Sequence, residues 1–208
     1  MKLTGIFFTA SLATFALGVP IFPLPCSSLS GTPCRCPVGT DYSESTTTAI
    51  IGASANNVGF VTNDFFNPSW TGVELYMLQG PDNFPGLSIR DLNVSTSVGS
   101  YVFSQRLTFR LVLPDGSFEQ RYEQRGIVPY RSGNGSFSGD WVSLKGERVF
   151  ENETLVLFSS YSCTTGHPFD IAAFHESSLS NATTILEAAG LAVGASTTPV
   201  SAELSWGQ

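Results

Sequence analysis

The segment ASANNVGFVTNDFFNPSW, residues 53–70, interrupts a chain that otherwise alternates like a β-sheet. Ser54 stands at an N-cap position, and Val58, Val61 and Phe65 follow at helical spacing. Pro68 closes the helical region. A short β-branched run, residues 47–53, precedes it. One short helix is thus predicted between a strand and an aromatic loop, ahead of a long sheet-like stretch.

That stretch contains a hairpin, YVFSQRLTFRLVL-PDGS-FEQRYEQR, residues 101–125. Tyr101, Phe103, Leu107, Phe109 and Leu111 share one face, and Val102, Arg106, Thr108, Arg110 and Val112 the other. Placing Arg106 opposite Glu123 and Arg110 opposite Glu119 also sets Leu107 by Tyr122 and Leu111 by Phe118. A glycine bulge at Pro114-Asp115-Gly116 would shift this pairing locally. The charged ladder reads as a solvated sheet face. Further strands are expected at 73–78, 88–94, 141–150 and 154–163. From Pro168 the pattern turns helical: Ile171, Phe174, His175, Leu179, Ala182, Ile185, Leu186 and Ala189 form an apolar stripe, and Gly190 stops it. Asp170 suits the positive end of this helix.

The ends point to export. MKLTGIFFTASLATFALG, residues 1–18, has one lysine, an apolar run and a small-x-small site, the pattern of a signal peptide. The run falls short of the ~20 apolar residues of a spanning helix, so no stable membrane insertion is expected. Residues 19–45 are rich in Pro, Ser and Cys and read as an irregular arm. Residues 192–208 read as a flexible tail, which leaves 46–191 as the packed domain. The sequons at Asn93, Asn134, Asn152 and Asn181 fit glycosylation in the secretory pathway. Four cysteines, Cys26, Cys34, Cys36 and Cys163, imply two disulfides. Cys34 and Cys36 are too close to pair comfortably, so Cys163 is expected to bond one of the other three. With two histidines and no CxxC pair, no metal site is expected. Without Lys2, nine basic residues face seventeen acidic ones, a charge of −8 with no basic stripe, which disfavours nucleic acid as a partner.

No hydrolase elbow, zinc motif or phosphate loop is present, and no cofactor is expected. His175, on the apolar stripe, could act as a general acid or base near neutral pH, although a buried core histidine is the blander reading. Tyr101 and Tyr122 could orient a carbonyl through their hydroxyls. Trp70, Phe103, Phe109, Phe118 and Trp141 are candidates for lining a ligand pocket or simply for packing a core.

The order of these elements resembles the START-like, or SRPBCC, superfamily of polyketide cyclases and lipid-transfer proteins. The likeness rests on Ala53-Ser54, Val58, Val61, Asp64-Phe65, Asn67-Pro68 and Trp70, on Gly80, Gly86 and Arg90, and on the SQRLTF strand and final helix. Gly59 departs from it, since a large aromatic often follows the helix valine. The resemblance implies an α+β helix-grip fold, a curled antiparallel sheet around a long C-terminal helix enclosing an apolar pocket. The early helices would plug one end of the sheet. It further implies a hydrophobic small-molecule partner. Two functions follow: a cyclase, isomerase or pericyclase acting on a polyketide or terpenoid intermediate, or a secreted non-catalytic carrier of a lipid or hydrophobic metabolite. A secreted interaction protein would instead expose an aromatic patch.

Overall fold

The computed structural model describes residues 24–30, 32–96, 99–129, 135–166 and 170–207. The expected signal peptide, Asn134 and His167 lie outside these residues. Among the described residues nine strands form one sheet: β1 (Asp41–Ile51), β2 (Glu74–Gln79), β3 (Ile89–Thr96), β4 (Gly99–Val112), β5 (Phe118–Gln124), β6 (Val128–Pro129), β7 (Ser136–Phe150), β8 (Glu153–Thr165) and β9 (Val200–Gly207). Their order is β2-β3-β4-β5-β7-β8-β1-β9, with β6 also on β7. All pairings between strands are antiparallel, and the sheet is curled but not closed. The α-helices α1 (Ala55–Thr62) and α2 (Ile171–Ala188) complete a helix-grip fold.

The helices start where side chains cap them. Ser54 Oγ accepts from the Asn57 amide at 3.4 Å, and Asp170 Oδ1 from that of Ala173 at 2.8 Å. Leu179, Ala182 and Leu186 of α2 are fully buried in a core shared with Val58, Leu144 and Phe158. Phe118 fixes α1 against the sheet. A Cβ at Gly59 would come within 3.1 Å of its ring, and one at Gly146 within 2.3 Å. The aromatic expected beside the helix valine is therefore replaced by Gly59, because an aromatic from β5 fills that space.

Three expectations are corrected. The hairpin has the predicted pairs Arg106↔Glu123 and Leu107↔Tyr122, but Arg110 faces Gln120 and Leu111 faces Glu119. Its three-residue turn has Gly116 at φ 86°, and a bulge between Leu107 and Phe109 absorbs the offset. The bulge carries Phe109 to the outer face, 39% exposed, beneath Arg121. Second, residues 192–208 are not loose throughout: β9 pairs with β1 from Thr48↔Val200 to Asp41↔Gly207. Backbone pairing of the β1 edge, rather than apolar burial, holds this strand, since Val200 and Leu204 remain exposed. Third, β1 begins at Asp41, inside the segment expected to be an irregular arm.

Residues 24–30 and 32–40 cover the convex face beside β1 and β8. Disulfides join Cys26 to Cys34 and Cys36 to Cys163, with Cα separations of 4.9 and 5.5 Å. Cys163 thus bonds within the N-terminal cluster as expected. Among the described residues, no helix is long and apolar enough to cross a membrane.

Two stability predictions follow from crosslink length and from the Phe118 slot. Losing Cys36–Cys163, which links residues 127 apart, is expected to cost about 4–5 kcal/mol in the double serine variant, against about 2.5 kcal/mol for Cys26–Cys34. Urea denaturation of the two variants measures the difference. Gly146→Ala drives a methyl into the Phe118 ring and is expected to cost about 2 kcal/mol, with Phe118→Leu in the same background recovering part of it.

Candidate functional site

Alternation along β3, β4, β5, β7 and β8 sends one set of side chains into the concave face, where α2 closes over them. Between sheet and helix lies a cavity of about 60 Å³, measured as room for the centre of a water molecule. That is space for roughly four waters. Leu92, Val94, Phe103, Phe137, Val142 and Phe158 make its walls from the sheet, and Ile171 and Phe174 from α2.

Polar groups interrupt this apolar lining. Arg90, on β3, is 4% exposed. Its Nε donates to Gln105 Oε1 at 3.0 Å and its Nη1 to the Phe65 carbonyl at 2.8 Å. The guanidinium carbon lies 4.4 Å from the Phe65 ring centroid and 4.7 Å from that of Tyr122. Among the described residues Arg90 makes no ion pair. Burial pulls its pKa down, while Tyr122 and Asp64 oppose this.

Tyr122 and Asp140 also line the cavity. Burial raises the Tyr122 hydroxyl to about 12, against the pull of Arg90. Asp140 keeps some accessible surface, yet desolvation by the surrounding protein raises its carboxyl to about 6. Ser160 Oγ donates to it at 2.9 Å and works in the other direction. His175 of α2 is 2% exposed and stacks on Phe158 with centroids 3.7 Å apart. Its Nδ1 is buried without a hydrogen-bond partner among the described residues. Burial lowers its pKa to about 3, with the Phe158 backbone opposing. The imidazole is therefore neutral at neutral pH, and the group that titrates closest to neutrality in this cavity is Asp140.

Of the residues singled out from sequence, Phe103, Tyr122 and His175 meet at the cavity. Trp70 is buried behind it, 5.4 Å from Phe158, and Tyr101 packs edge-on to Phe103 at 6.2 Å in a neighbouring cluster. Phe118 belongs to the α1 slot and Phe109 to the outer face. Trp141 is also on the convex side, stacked on Tyr161 at 5.4 Å. Sequence reading missed Asp140 and gave Arg90 no site role.

The chain belongs to the START-domain family, whose profile matches residues 42–204. The match runs into β9, beyond the expected domain end. No curated protein matches the sequence. Among solved structures, the fold is similar to a protein from Nitrosospira multiformis at 14% identity, TM-score 0.50, covering 68% of this chain and 94% of that one. It is also similar to the ZhuI aromatase/cyclase from Streptomyces sp. R1128 at 15% identity, TM-score 0.45, covering 71% and 83%. Truncated norcoclaurine synthase from Thalictrum flavum aligns at 9% identity, TM-score 0.49, covering 72% and 96%.

The two shifted groups predict opposite pH trends. Asp140 is raised in the folded state, so its contribution is full below about pH 4 and is lost as pH rises through about 6. His175 is depressed, so its contribution is full above about pH 6.5 and is lost as pH falls towards 3. Stability curves from pH 3 to 8 are expected to lose the first trend in Asp140→Asn and the second in His175→Phe.

Proposed function

We propose that this protein is a secretory-pathway pocket protein that catalyses cyclisation or isomerisation of a hydrophobic polyketide or terpenoid intermediate. The observation that carries this reading is the group of Arg90, Tyr122 and Asp140 on the sheet wall of a predominantly apolar cavity. A substrate carbonyl placed against Arg90 and Tyr122 is polarised by a fixed cation and a hydroxyl donor. The Asp140 carboxylate takes the proton from the adjacent carbon and the electron pair moves onto the carbonyl oxygen. In a cyclisation the enolate carbon then attacks a second carbonyl of the substrate, whose π bond opens and whose oxygen takes the proton back from Asp140. In an isomerisation Asp140 returns that proton to the far carbon of the dienolate. Ser160 orients the carboxylate. His175 supports the walls as a neutral ring. The apolar surfaces hold the substrate folded, which supplies much of the rate gain by orientation.

A non-catalytic carrier is the alternative, and the predominance of apolar groups in the lining supports it. Either reading requires the walls to move, since the cavity holds only a few waters' volume. Phe174 of α2 is the side chain to displace. Phe174→Ala is expected to strengthen uptake of an apolar fluorescent dye several-fold, read by titration at constant protein fold.

Native mass spectrometry of the secreted protein, with extraction of any bound molecule, tests the pocket directly. Turnover of that molecule's precursor is expected to fall by about two orders of magnitude in Asp140→Asn and Tyr122→Phe. Unchanged conversion in both variants sinks the catalytic reading, and binding without conversion by wild type establishes the carrier.

Export and glycosylation are part of the same proposal. The two disulfides support an oxidising compartment. Asn152, exposed in the β7–β8 turn, is the best-presented described sequon. Asn93 lies within β3, and Asn181 Nδ2 donates to the Trp70 carbonyl at 3.0 Å. Glycosidase treatment is expected to shift the wild-type band, and Asn152→Gln to remove one glycan's worth of that shift.

A further inference from the structure

The convex face carries a second concavity, of about 350 Å³, between the disulfide-bound arm and strands β1, β7 and β8. It is far roomier than the concave cavity, and its lining is polar and apolar in near-equal measure. Tyr122, Val142 and Ser160 contribute to both spaces, so one layer of sheet separates them.

The apolar part of this groove is the stacked pair Trp141 and Tyr161, with ring planes 15° apart. Around it stand hydroxyls from both walls: Ser28, Ser30 and Thr32 of the arm, and Thr46, Ser143 and Ser159 of the sheet. Glu44 and Arg121 also line it and add one charge of each sign. Glu44 Oε2 accepts from Tyr42 at 2.9 Å, leaving its second oxygen without a protein partner among the described residues. Arg121 is held by Glu119 through Nε at 2.6 Å, with 44% of its side chain exposed. Thr46 donates to Ser159 at 3.0 Å, so the Ser159 proton stays available. The arm wall is fixed in advance by Cys26–Cys34, by Cys36–Cys163 and by the Tyr161 hydroxyl donating to the Ser27 carbonyl.

We propose that this groove is a binding site for a neutral saccharide of one or two rings. A pyranose ring has an apolar C–H face and an equatorial rim of hydroxyls. The face stacks on an aromatic side chain, and the rim takes paired hydrogen bonds from a carboxylate, a guanidinium and hydroxyls. Arg121 is already paired with Glu119, so Glu44 leaves the groove slightly negative, which disfavours an anionic ligand, and the hydroxyl rim suits a neutral one. The preformed arm lowers the ordering cost of binding. This site is independent of the chemistry assigned to the concave cavity.

The test uses the full mature protein with its disulfides intact and its own glycans removed enzymatically. Maltose, cellobiose, mannobiose and N,N′-diacetylchitobiose are titrated and followed by saturation-transfer NMR and tryptophan fluorescence. At least one is expected to bind with Kd below about 10 mM, with saturation concentrated on the ring C–H protons. Trp141→Ala is expected to weaken that binding at least about tenfold. Ser143→Val, a small change on the same strand, weakens it about threefold and guards against a folding defect in the first variant. No binding by any of the four sugars overturns the proposal. So does binding that both variants retain at wild-type strength.

Discussion

A buried guanidinium organises this fold. Taking a cation out of water costs several kcal/mol unless its surroundings replace the lost hydration. Arg90 recovers that hydration without a carboxylate, from the Gln105 side chain, the Phe65 carbonyl and the faces of Phe65 and Tyr122. Each partner must then be fixed in turn. The Phe65 amide donates to Asn83 Oδ1 at 2.9 Å, and Asn83 Nδ2 donates to Asp64 at 3.2 Å. Asn83 holds a left-handed φ of 54° to do this. Ser88 closes the same loop through the Pro81 carbonyl at 2.6 Å. The loop after α1, the β2–β3 connection and strands β3 to β5 are thereby tied to one charge. That is why the residues after the first helix, and not the helix alone, govern the architecture.

Much of this was legible in the sequence where a side chain acts locally. Ser54 and Asp170 announced their helices because capping is decided within three residues. Phe103, Tyr122 and His175 followed from simple periodicity. Arg90 had a readable signal too: Ser88, Arg90, Leu92 and Val94 alternate, and all four are buried. An arginine in that phase either finds partners inside or cannot fold there. Bulges were not legible. One between Leu107 and Phe109 turns Phe109 outward, and another between Phe137 and Gly139 changes the phase of β7. Phe137 and Asp140 consequently share the concave face across an odd spacing, while Trp141 goes to the convex one. Period-two counting fails at such points, and Asp140 was missed because the expected strand, 141–150, starts one residue after it whereas β7 starts at Ser136. Strand β9 escaped for a different reason. Its small and polar residues carry no burial signal, and what it supplies to β1 is backbone.

The N-terminal arm shows how the same sheet supports two unlike surfaces. Its residues have little apolar content and would not pack alone. Cys36–Cys163 anchors them beside Tyr42, Trp141 and Tyr161. A Cβ at Gly139 would lie 2.3 Å from the Trp141 ring, so glycine there allows the indole to lie against the strand. The covalent bond fixes the arm while leaving the hydroxyls around it unburied, which an apolar interface would not do.

Charge balance in the concave cavity narrows the kind of chemistry it favours. At neutral pH, Asp140 is mostly ionised and Tyr122 and His175 are neutral, and Arg90 carries the charge that a guanidinium keeps in proteins. The lining is then close to electroneutral but strongly dipolar, with Tyr122 coupled electrostatically to both Arg90 and Asp140. A neutral ligand enters such a space without bringing an unpaired charge out of water. The dipole nevertheless acts on any carbonyl whose oxygen turns towards the guanidinium, and more strongly as that oxygen gains charge. Below about pH 6, protonation of Asp140 leaves the lining with a net positive charge, so cavity neutrality is lost. Arg90 is accounted for by the loops and strands it ties together, whereas a carboxyl held near neutrality has no such architectural task, and it is the feature that the proposed proton transfer would use.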